Sequence, residues 1–447
     1  MKPGIPKGTR DFIPSEVYRR QYIFDIIKTL FERYGYQPIE TPVMENLETL
    51  TGKYGDEGDK LLFKVLNNGD FLSKADKDAL SRLDSQKLVH SIARRGLRYD
   101  LTVPFARFVT MHQHEITMPF KRYAIQPVWR ADRPQKGRYQ EFYQCDVDVV
   151  GTDSLICEAE YLRIIDQVFK NLGLDVVVYL NNRKILAGIA EDIGTPDRLN
   201  EMTVIIDKMD KIGEEGVHKE LSKMEFSESQ ITRLLFLLSM DDLQNMQDSL
   251  KGSEIGQKGI SEMQEVLSYL DGLYLHNEVV TKVSLARGLN YYTGCIFEVS
   301  AKDIEFGSLL GGGRYDNLTG VFGLKGVSGV GISFGVERIY DVMEMKDLFP
   351  SELDQSIKVL FIALDEASHK KAFFLAENCR MKGISCDVYP DPVKIKKQMK
   401  YADQIGVKHV VVIGSEELKS DKYTFRDMQS GDQELLGQDE LVQKLLM

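Results

Sequence analysis

Residues 128–151, VWRADRPQKGRYQEFYQCDVDVVG, hold the side chains in this chain best suited to chemistry. Arg130, Arg133, Lys136 and Arg138 fall within nine residues. The planar fork of a guanidinium grips two phosphate oxygens at once. The aromatic and apolar stretch that follows carries Phe142, Gln144, Asp146 and Asp148 at alternate positions, so in a strand all four share one face. Carboxylates there suit a cationic or hydrogen-bond-donating small molecule. The pattern reads as strand, basic loop, strand, with a phosphate site beside an amine or imidazole site. A solvated surface hairpin is the plain alternative. Three features count against it: Pro134 and Gly137 shape a defined loop, the VDVV run is that of a core strand, and buried strands seldom carry two acids without partners.

Several elements must hold this hairpin in place. Val17, Ile23, Phe24, Ile27, Leu30 and Phe31 recur at helical spacing, which predicts a helix over 16–35 ending near Gly35. Residues 67–96 are polar and predict a loop or short helices before a strand at LRYDLTV, which would put Asp100 and Thr102 on one side. A helix over 154–173 and a strand over 176–180 follow. From about 186 to 276 the spacing is helical throughout. Strand patterns resume at VVTKVSLA, CIFEVS and GVSGVGISF, as if one antiparallel sheet were interrupted by a helical module. A boundary is expected between Pro350 and Gln355. Beyond it strand and helix alternate from IKVLFIAL to HVVVIG, the pattern of a small α/β domain with parallel strand pairs.

The chain has 447 residues, ample for two or three domains. No apolar run approaches a membrane span, and the N-terminal segment lacks the apolar core of a signal peptide. The five cysteines form no CxxC pair, which speaks against a zinc site or a disulfide framework and for a reducing, cytoplasmic setting. A net charge of −11 disfavours nucleic acid as a partner at long range. Local basic clusters keep that class open: VKIKKQMK at 393–400, with Lys394, Lys396, Lys397 and Lys400, and the group Arg94, Arg95 and Arg98.

The hairpin resembles motif 2 of class II aminoacyl-tRNA synthetases, and its RPQKGRYQEFYQCD string resembles the histidyl-tRNA synthetase family in particular. SLARGLNYYTG at 284–294 is similar to that family's histidine-specific motif. GGGRYDNL from Gly311, with GVGISFGVERI at 329–339, is similar to its glycine-rich region and motif 3. KGTRDFIPSE at 7–16 and LRYDLTVPFAR at 97–107 match as well. The resemblance covers nearly the whole chain. It implies an α+β fold: an antiparallel catalytic sheet with flanking helices over 1–350, a helical insertion over about 186–276, and a C-terminal α/β anticodon-binding-like domain over 355–447.

The resemblance also implies ATP-dependent ligation of L-histidine to tRNA through an adenylate, with Mg2+ accompanying the ATP and a homodimer formed through the N-terminal region. Residue by residue, it implies that Arg130 contacts the α-phosphate and that Arg138 and Arg338 hold the β and γ phosphates. Phe142 is suited to stacking on adenine. Gly311, Gly312 and Gly313 would let the backbone approach the nucleotide closely. Alternatively, Arg338 pairs with its neighbour Glu337, and the three glycines form a tight turn. Asp100, Thr102 and Gln144 would take the α-amino group; Asp148 and Tyr292 would read the two imidazole nitrogens, with Tyr291 close by. Adjacent residues in an extended segment face opposite sides, so one of the two tyrosines belongs to the core. Arg287 would stabilise the pentacoordinate transition state. The family often carries glutamate where Asp100 and Asp148 stand; the shorter side chain resembles its eukaryote-like branch. No metal ligand is identified. The lysines of 393–400 would face the tRNA, against the plain reading of a solvated helix face. The main rival is a synthetase-like regulatory subunit of histidine biosynthesis. Such a protein would lack the C-terminal domain and erode the arginines that are intact here. An RNA-binding regulatory module is disfavoured by the same arginines.

Overall fold

A computed structural model describes residues 2–51, 59–240, 242–286, 292–354 and 357–446. The chain divides into two compact units. One holds the residues up to Asp11 together with Arg20–Leu348; the other holds Phe12–Arg19 and the chain from Phe349 onward.

The first unit is built on an eight-stranded sheet. In chain order its strands are β1 (Gln37–Pro38), then, after the small sheet of β2 (Met44–Asn46), β3 (Lys64–Val65) and β4 (Arg95–Leu97), β5 (Phe120–Trp129), β6 (Glu141–Val150), β7 (Val176–Asn182), β8 (Glu278–Thr281), β9 (Cys295–Ala301), β10 (Leu310–Tyr315) and β11 (Gly329–Gly335). Their order is β1-β5-β6-β11-β10-β9-β7-β8. The central pairs are antiparallel, while β1 joins β5 and β8 joins β7 in parallel at the edges.

Alternation divides the sheet chemically. On β6, Cys145, Val147 and Val149 are fully or almost fully buried on one face, with Asp146 and Asp148 between them on the other. The apolar face is covered by helix Ile156–Asn171 and by helix Pro14–Arg33 from Arg20 onward. Phe31 and Phe169, one from each helix, both lie 5.9 Å from the Phe334 ring of β11. All three are fully buried, and each contributes roughly 1.5–3 kcal/mol by leaving water. Both helices end before glycines of positive φ, Gly35 at 79° and Gly173 at 67°, a conformation that suits a residue without Cβ. Residues 183–268 form helices Arg183–Asp192, Leu199–Ile206, Met209–Lys223, Glu228–Leu238, Leu243–Ser249 and Glu254–Ser268, with no strand among the described residues of 186–276.

Two local expectations change. The strand at LRYDLTV stops at Leu97, and Thr102 opens helix Thr102–Met111. Asp100 Oδ1 accepts a hydrogen bond of 3.1 Å from the Val103 N–H, satisfying a donor that a helix start leaves without an intrahelical partner. Asp100 and Thr102 are therefore not alternate residues of a strand. The glycines 311–313 are no turn either: they lie inside β10, between β9 and β11. A Cβ at Gly312 would stand 2.3 Å from the Gly331 carbonyl oxygen, so glycine lets the backbones approach.

The second unit carries a five-stranded sheet, β13-β12-β14-β15-β16, from β12 (Val359–Ala363), β13 (Cys386–Val388), β14 (His409–Ile413), β15 (Tyr423–Asp427) and β16 (Gln433–Leu436). β12 pairs in parallel with β13 and β14, as the alternation predicts; β15 and β16 add an antiparallel hairpin beyond that pattern. Val359, Phe361 and Ala363 pack with helices Glu366–Met381 and Gln438–Leu446, while Leu360 and Ile362 pack with Ala402 of helix Ile395–Gln404.

Candidate active site

Register places the polar face of the sheet in rows. Arg122, Asp148, Gly331 and Gly313 stand side by side on β5, β6, β11 and β10. The next row is Ala124, Asp146, Ser333 and Gly311; the third is Gln126, Gln144 and Gly335. Small residues on β10 and β11 hollow the face beside the acids of β6. A Cβ at Gly331 would lie 2.0 Å from Asp148 Oδ1, and one at Gly313 2.8 Å from Tyr292 Cδ1. Side chains at those two positions would occupy the space that the acid and the tyrosine now fill. Thr102, Asp146, Asp148, Tyr292, Gly311, Tyr315, Gly331 and Ser333 are among the residues lining the resulting pocket.

The acids in this floor are almost fully buried, so their partners decide their charge. Asp148 Oδ2 lies 2.6 Å from Arg122 Nη2, and its Oδ1 accepts from the Tyr315 hydroxyl at 2.6 Å. Arg122 is itself fully buried, its guanidinium 4.1 Å from the centre of the Phe105 ring. Burial raises the Asp148 pKa, while Arg122 and Tyr315 pull it down. Both oxygens of Asp148 are thus engaged, although each retains a lone pair for a further donor. Burial pushes Asp146 up to about 7; Arg122 and Ser333 oppose the shift, and Asp148 and Asp100 add to it. Gln144 Nε2 donates to Ser333 Oγ at 2.7 Å.

The arginines suited to phosphates surround the loop of the hairpin. Arg130 leaves β5 with Nε donating to the Tyr99 carbonyl at 3.1 Å, and its guanidinium is 4.3 Å from the Tyr99 ring centre and 5.2 Å from that of Phe142. Arg138 is half exposed, 3.6 Å from Asp132. Arg338 donates through Nε to the Gly137 carbonyl at 2.9 Å and through Nη1 to the Ser308 carbonyl at 2.7 Å, tying the loop to the segment before β10. Its neighbour Glu337 pairs instead with Arg20 at 2.8 Å, because consecutive helical residues point apart.

The structure therefore brings Thr102, Asp148 and Tyr292 into one pocket and sets Gln144 on the same strand face. Asp100 sits at the helix start beside it, close enough to influence Asp146. Arg287 and Tyr291 lie outside the described residues. Lys394, Lys396, Lys397 and Lys400 are exposed in the other unit, at and within helix Ile395–Gln404. Arg122, Tyr315 and Ser333 were not singled out in the sequence. A charge inside the strand FKRYAIQPVW, which the hairpin sets opposite Asp148, is the signal that could have found Arg122.

A family model described as "Histidyl-tRNA synthetase" matches residues 8–73 and 69–339, and one described as "Anticodon binding domain" matches 358–447. A histidine–tRNA ligase of Christiangramia forsetii is 53% identical over 440 residues, covering 97% of this chain and 96% of that protein. The chain belongs to the histidyl-tRNA synthetase family. The crystal structure of a histidyl-tRNA synthetase from Nostoc superposes with a TM-score of 0.84 at 28% identity, covering 100% of this chain and 99% of the other. A Bacillus halodurans structure described as an ATP phosphoribosyltransferase regulatory subunit/histidyl-tRNA synthetase shares the fold, at a TM-score of 0.73 and 21% identity over 93% of this chain and 100% of the other. Fold alone does not separate family members; full-length sequence identity does more.

The Arg122–Asp148 pair generates a prediction. Arg122→Leu leaves Asp148 buried without its cation, which costs about 3–5 kcal/mol. In the variant the folded-state pKa of Asp148 rises further above its unfolded value of about 3.9. The loss relative to the parent is therefore small in acid and grows as pH rises through that folded value. Denaturant unfolding of both proteins from about pH 5 to pH 8 measures it, and Arg122→Leu/Asp148→Asn should recover most of the deficit. A deficit independent of pH would show that Arg122 acts through packing.

Proposed function

We propose that this protein ligates L-histidine to its cognate tRNA at the expense of ATP. The observation that carries this reading is full-length identity of about half to histidine–tRNA ligases, with the anticodon-binding module retained. The histidine carboxylate attacks the α-phosphorus of ATP, the bond to the bridging oxygen breaks, and histidyl-adenylate and pyrophosphate form. The tRNA 3′-terminal hydroxyl then attacks the acyl carbon, and AMP leaves. The regulatory-subunit reading is disfavoured by the same identity and by intact Arg130, Arg138, Arg287 and Arg338.

Roles for individual residues follow as proposals. Arg130 contacts the α-phosphate; Arg138 and Arg338 take the outer phosphates, and the bond of Arg338 to the carbonyl of Gly137, the residue before Arg138, supports this. Phe142 stacks on adenine, its ring already shared with Arg130. Asp100, Thr102 and Gln144 receive the α-amino group. Asp148 and Tyr292 read the imidazole nitrogens with Tyr291 close by, and the shared pocket of Asp148 and Tyr292 supports that pairing. Arg287 stabilises the pentacoordinate phosphorus.

Magnesium would arrive with the ATP. Among the described residues no group of three or more His, Cys, Asp or Glu is placed to hold a metal ion. Bound with a nucleotide, Mg2+ keeps several waters and is held by phosphate oxygens and one or two carboxylates. Residues 1–350 form the catalytic domain, interrupted by an insertion at about 186–276. Residues 355–447 hold the tRNA anticodon arm, with Lys394, Lys396, Lys397 and Lys400 on its backbone. Two copies associate through their N-terminal regions in the cytoplasm; among the described residues no helix is long and apolar enough to cross a membrane.

Three measurements test this reading. Histidine alone among the standard amino acids should drive ATP–pyrophosphate exchange, since a site built for two ring hydrogen bonds rejects analogues lacking them. Comparable exchange with asparagine or glutamine would sink the assignment. Arg287→Ala should lower single-turnover adenylation on the order of 100-fold while ATP affinity changes little; near-normal adenylation would make the arginine structural. Replacing the four lysines with glutamine should weaken tRNA binding and flatten its salt dependence, as fewer counterions are released. An unchanged salt slope would leave the run as a solvated face.

A further inference from the structure

None of the residues assigned to the reaction comes from the segment KGTRDFIPSE at 7–16. Its first residues meet the loop of the β5–β6 hairpin. The Gln140 N–H donates to the Gly8 carbonyl at 2.8 Å, and the Gln140 carbonyl accepts from the Arg130 N–H at 3.0 Å. Gly8 has a φ of 84°, and a Cβ there would stand 2.6 Å from Gln140 Cγ and 2.9 Å from Pro134 Cγ. Glycine therefore lets the segment touch the loop at two points. Further along the segment, the Arg10 guanidinium lies 3.6 Å from the centre of the Tyr139 ring. Its Nη2 is 3.9 Å from Glu337 Oε1.

Tyr139 links this contact to a helix. Its hydroxyl donates to Asp341 Oδ2 at 3.0 Å, and Glu337, Arg338 and Asp341 all belong to helix Val336–Met345. Arg338 holds the loop again, at the Gly137 carbonyl. Within the loop, Gln135 and Arg138 exchange backbone hydrogen bonds of 3.1 and 2.9 Å, and Gln140 Nε2 donates to the Asp132 carbonyl at 2.9 Å. These internal bonds shape the loop but do not tie it to the rest of the unit. The loop carries Arg133, Lys136 and Arg138, whose like charges repel. A further cation beside them is unfavourable unless it is matched. Arg10 is matched by the face of the Tyr139 ring and by the Glu337 carboxylate.

We propose that Arg10 is a positioning residue: its guanidinium on the Tyr139 ring, with the Gly8 carbonyl on Gln140, holds the hairpin loop so that Arg138 meets the outer phosphates of ATP. This rests on the reading of Arg138 as a phosphate contact, and adds to it the segment that orders the loop. Arg10 itself touches no reacting atom in this assignment. Tyr139 directly follows Arg138, so fixing its ring fixes the backbone from which the Arg138 side chain departs. Without the contact the loop samples open states, and ATP must restore the order as it binds. The apparent affinity for ATP then falls in proportion to the fraction of ordered loop.

Arg10→Met keeps much of the side chain's length and removes its charge. With the full-length protein in the exchange assay, KM for ATP should rise about 3- to 30-fold, the span of a cation–aromatic contact expressed as a population shift. KM for histidine should stay within about twofold of the parent, because that site lies on the strand floor; this also reports that the variant is folded. Arg10→Lys, which keeps a cation for the ring, should return KM for ATP to within about threefold of the parent. Trypsin reads the order of the loop without any reaction. The Lys136–Gly137 and Arg138–Tyr139 bonds lie within it, and their cleavage in the absence of ATP should quicken by a similar factor in Arg10→Met, since cutting tracks the open population. In a Tyr139→Leu background, Arg10→Met should add little to either readout, because the contact is already gone. Unchanged loop cleavage or an unchanged KM for ATP in Arg10→Met overturns the proposal. So does a parallel rise in KM for histidine, which would make Arg10 a general structural residue. Failure of Arg10→Lys to restore ATP affinity, or full additivity with Tyr139→Leu, overturns it as well. If instead Arg138→Gln leaves the parent's KM for ATP unchanged, the reading of Arg138 fails, while faster loop cleavage in Arg10→Met would still show that Arg10 orders the loop.

Discussion

A carboxylate in the middle of a sheet must be compensated, and much of the polar face of the catalytic unit follows from that requirement. Asp146 and Asp148 are both almost fully removed from water, and an uncompensated ion at such a depth costs several kcal/mol. Asp148 is balanced internally, by Arg122 across the strand pair and by the Tyr315 hydroxyl. Asp146 has the weaker local compensation, which is why its carboxyl sits near 7. Among the described residues, one acid is compensated by an ion pair and a hydroxyl; the other has an oxygen with no hydrogen-bond partner.

The glycines answer steric demands set by Asp148, Tyr292 and the neighbouring strand backbone. Side chains on β10 and β11 would run into Asp148, into Tyr292 and into the neighbouring backbone. Glycine weakens a strand taken alone. Here the loss is offset by the apolar face, where Phe31, Phe169 and Phe334 join two helices to the sheet. One face supplies stability, and the other can be emptied for chemistry.

Buried arginines show the same division. Arg314 of β10 is bound on every nitrogen: bidentate with Glu158, and donating to the Thr152 and Ser154 carbonyls and the Ser328 hydroxyl. It is a structural cation. Arg122 reaches Asp148 through Nη2, while its Nε and Nη1 have no partner among the described residues. Among the described residues, incomplete satisfaction marks the polar floor of the pocket; buried polar networks rigidify when fully satisfied.

The sequence by itself determined the elements whose signals are local. Helix Pro14–Arg33 follows from apolar spacing, the β5–β6 hairpin from strand patterns about a Pro- and Gly-containing loop, and the parallel core of the second unit from alternation of strand and helix. It also placed Gln144, Asp146 and Asp148 on one face, because the period of a strand is two. What it missed depended on neighbours distant along the chain. The tight-turn alternative for glycines 311–313 fails because they lie within a strand, where Gly312 meets the backbone of β11 and Gly313 meets Tyr292 and the Cys295 carbonyl. Asp100 and Thr102 read as strand residues because a single capping bond, not periodicity, starts the helix there. Spacing set which side each acid faces, but only the tertiary structure decided which is neutralised. That depends on Arg122, 26 residues before Asp148, and on Tyr315, 167 residues after it, meeting one carboxylate across three strands, and Coulomb energy depends on separation in space, not along the chain.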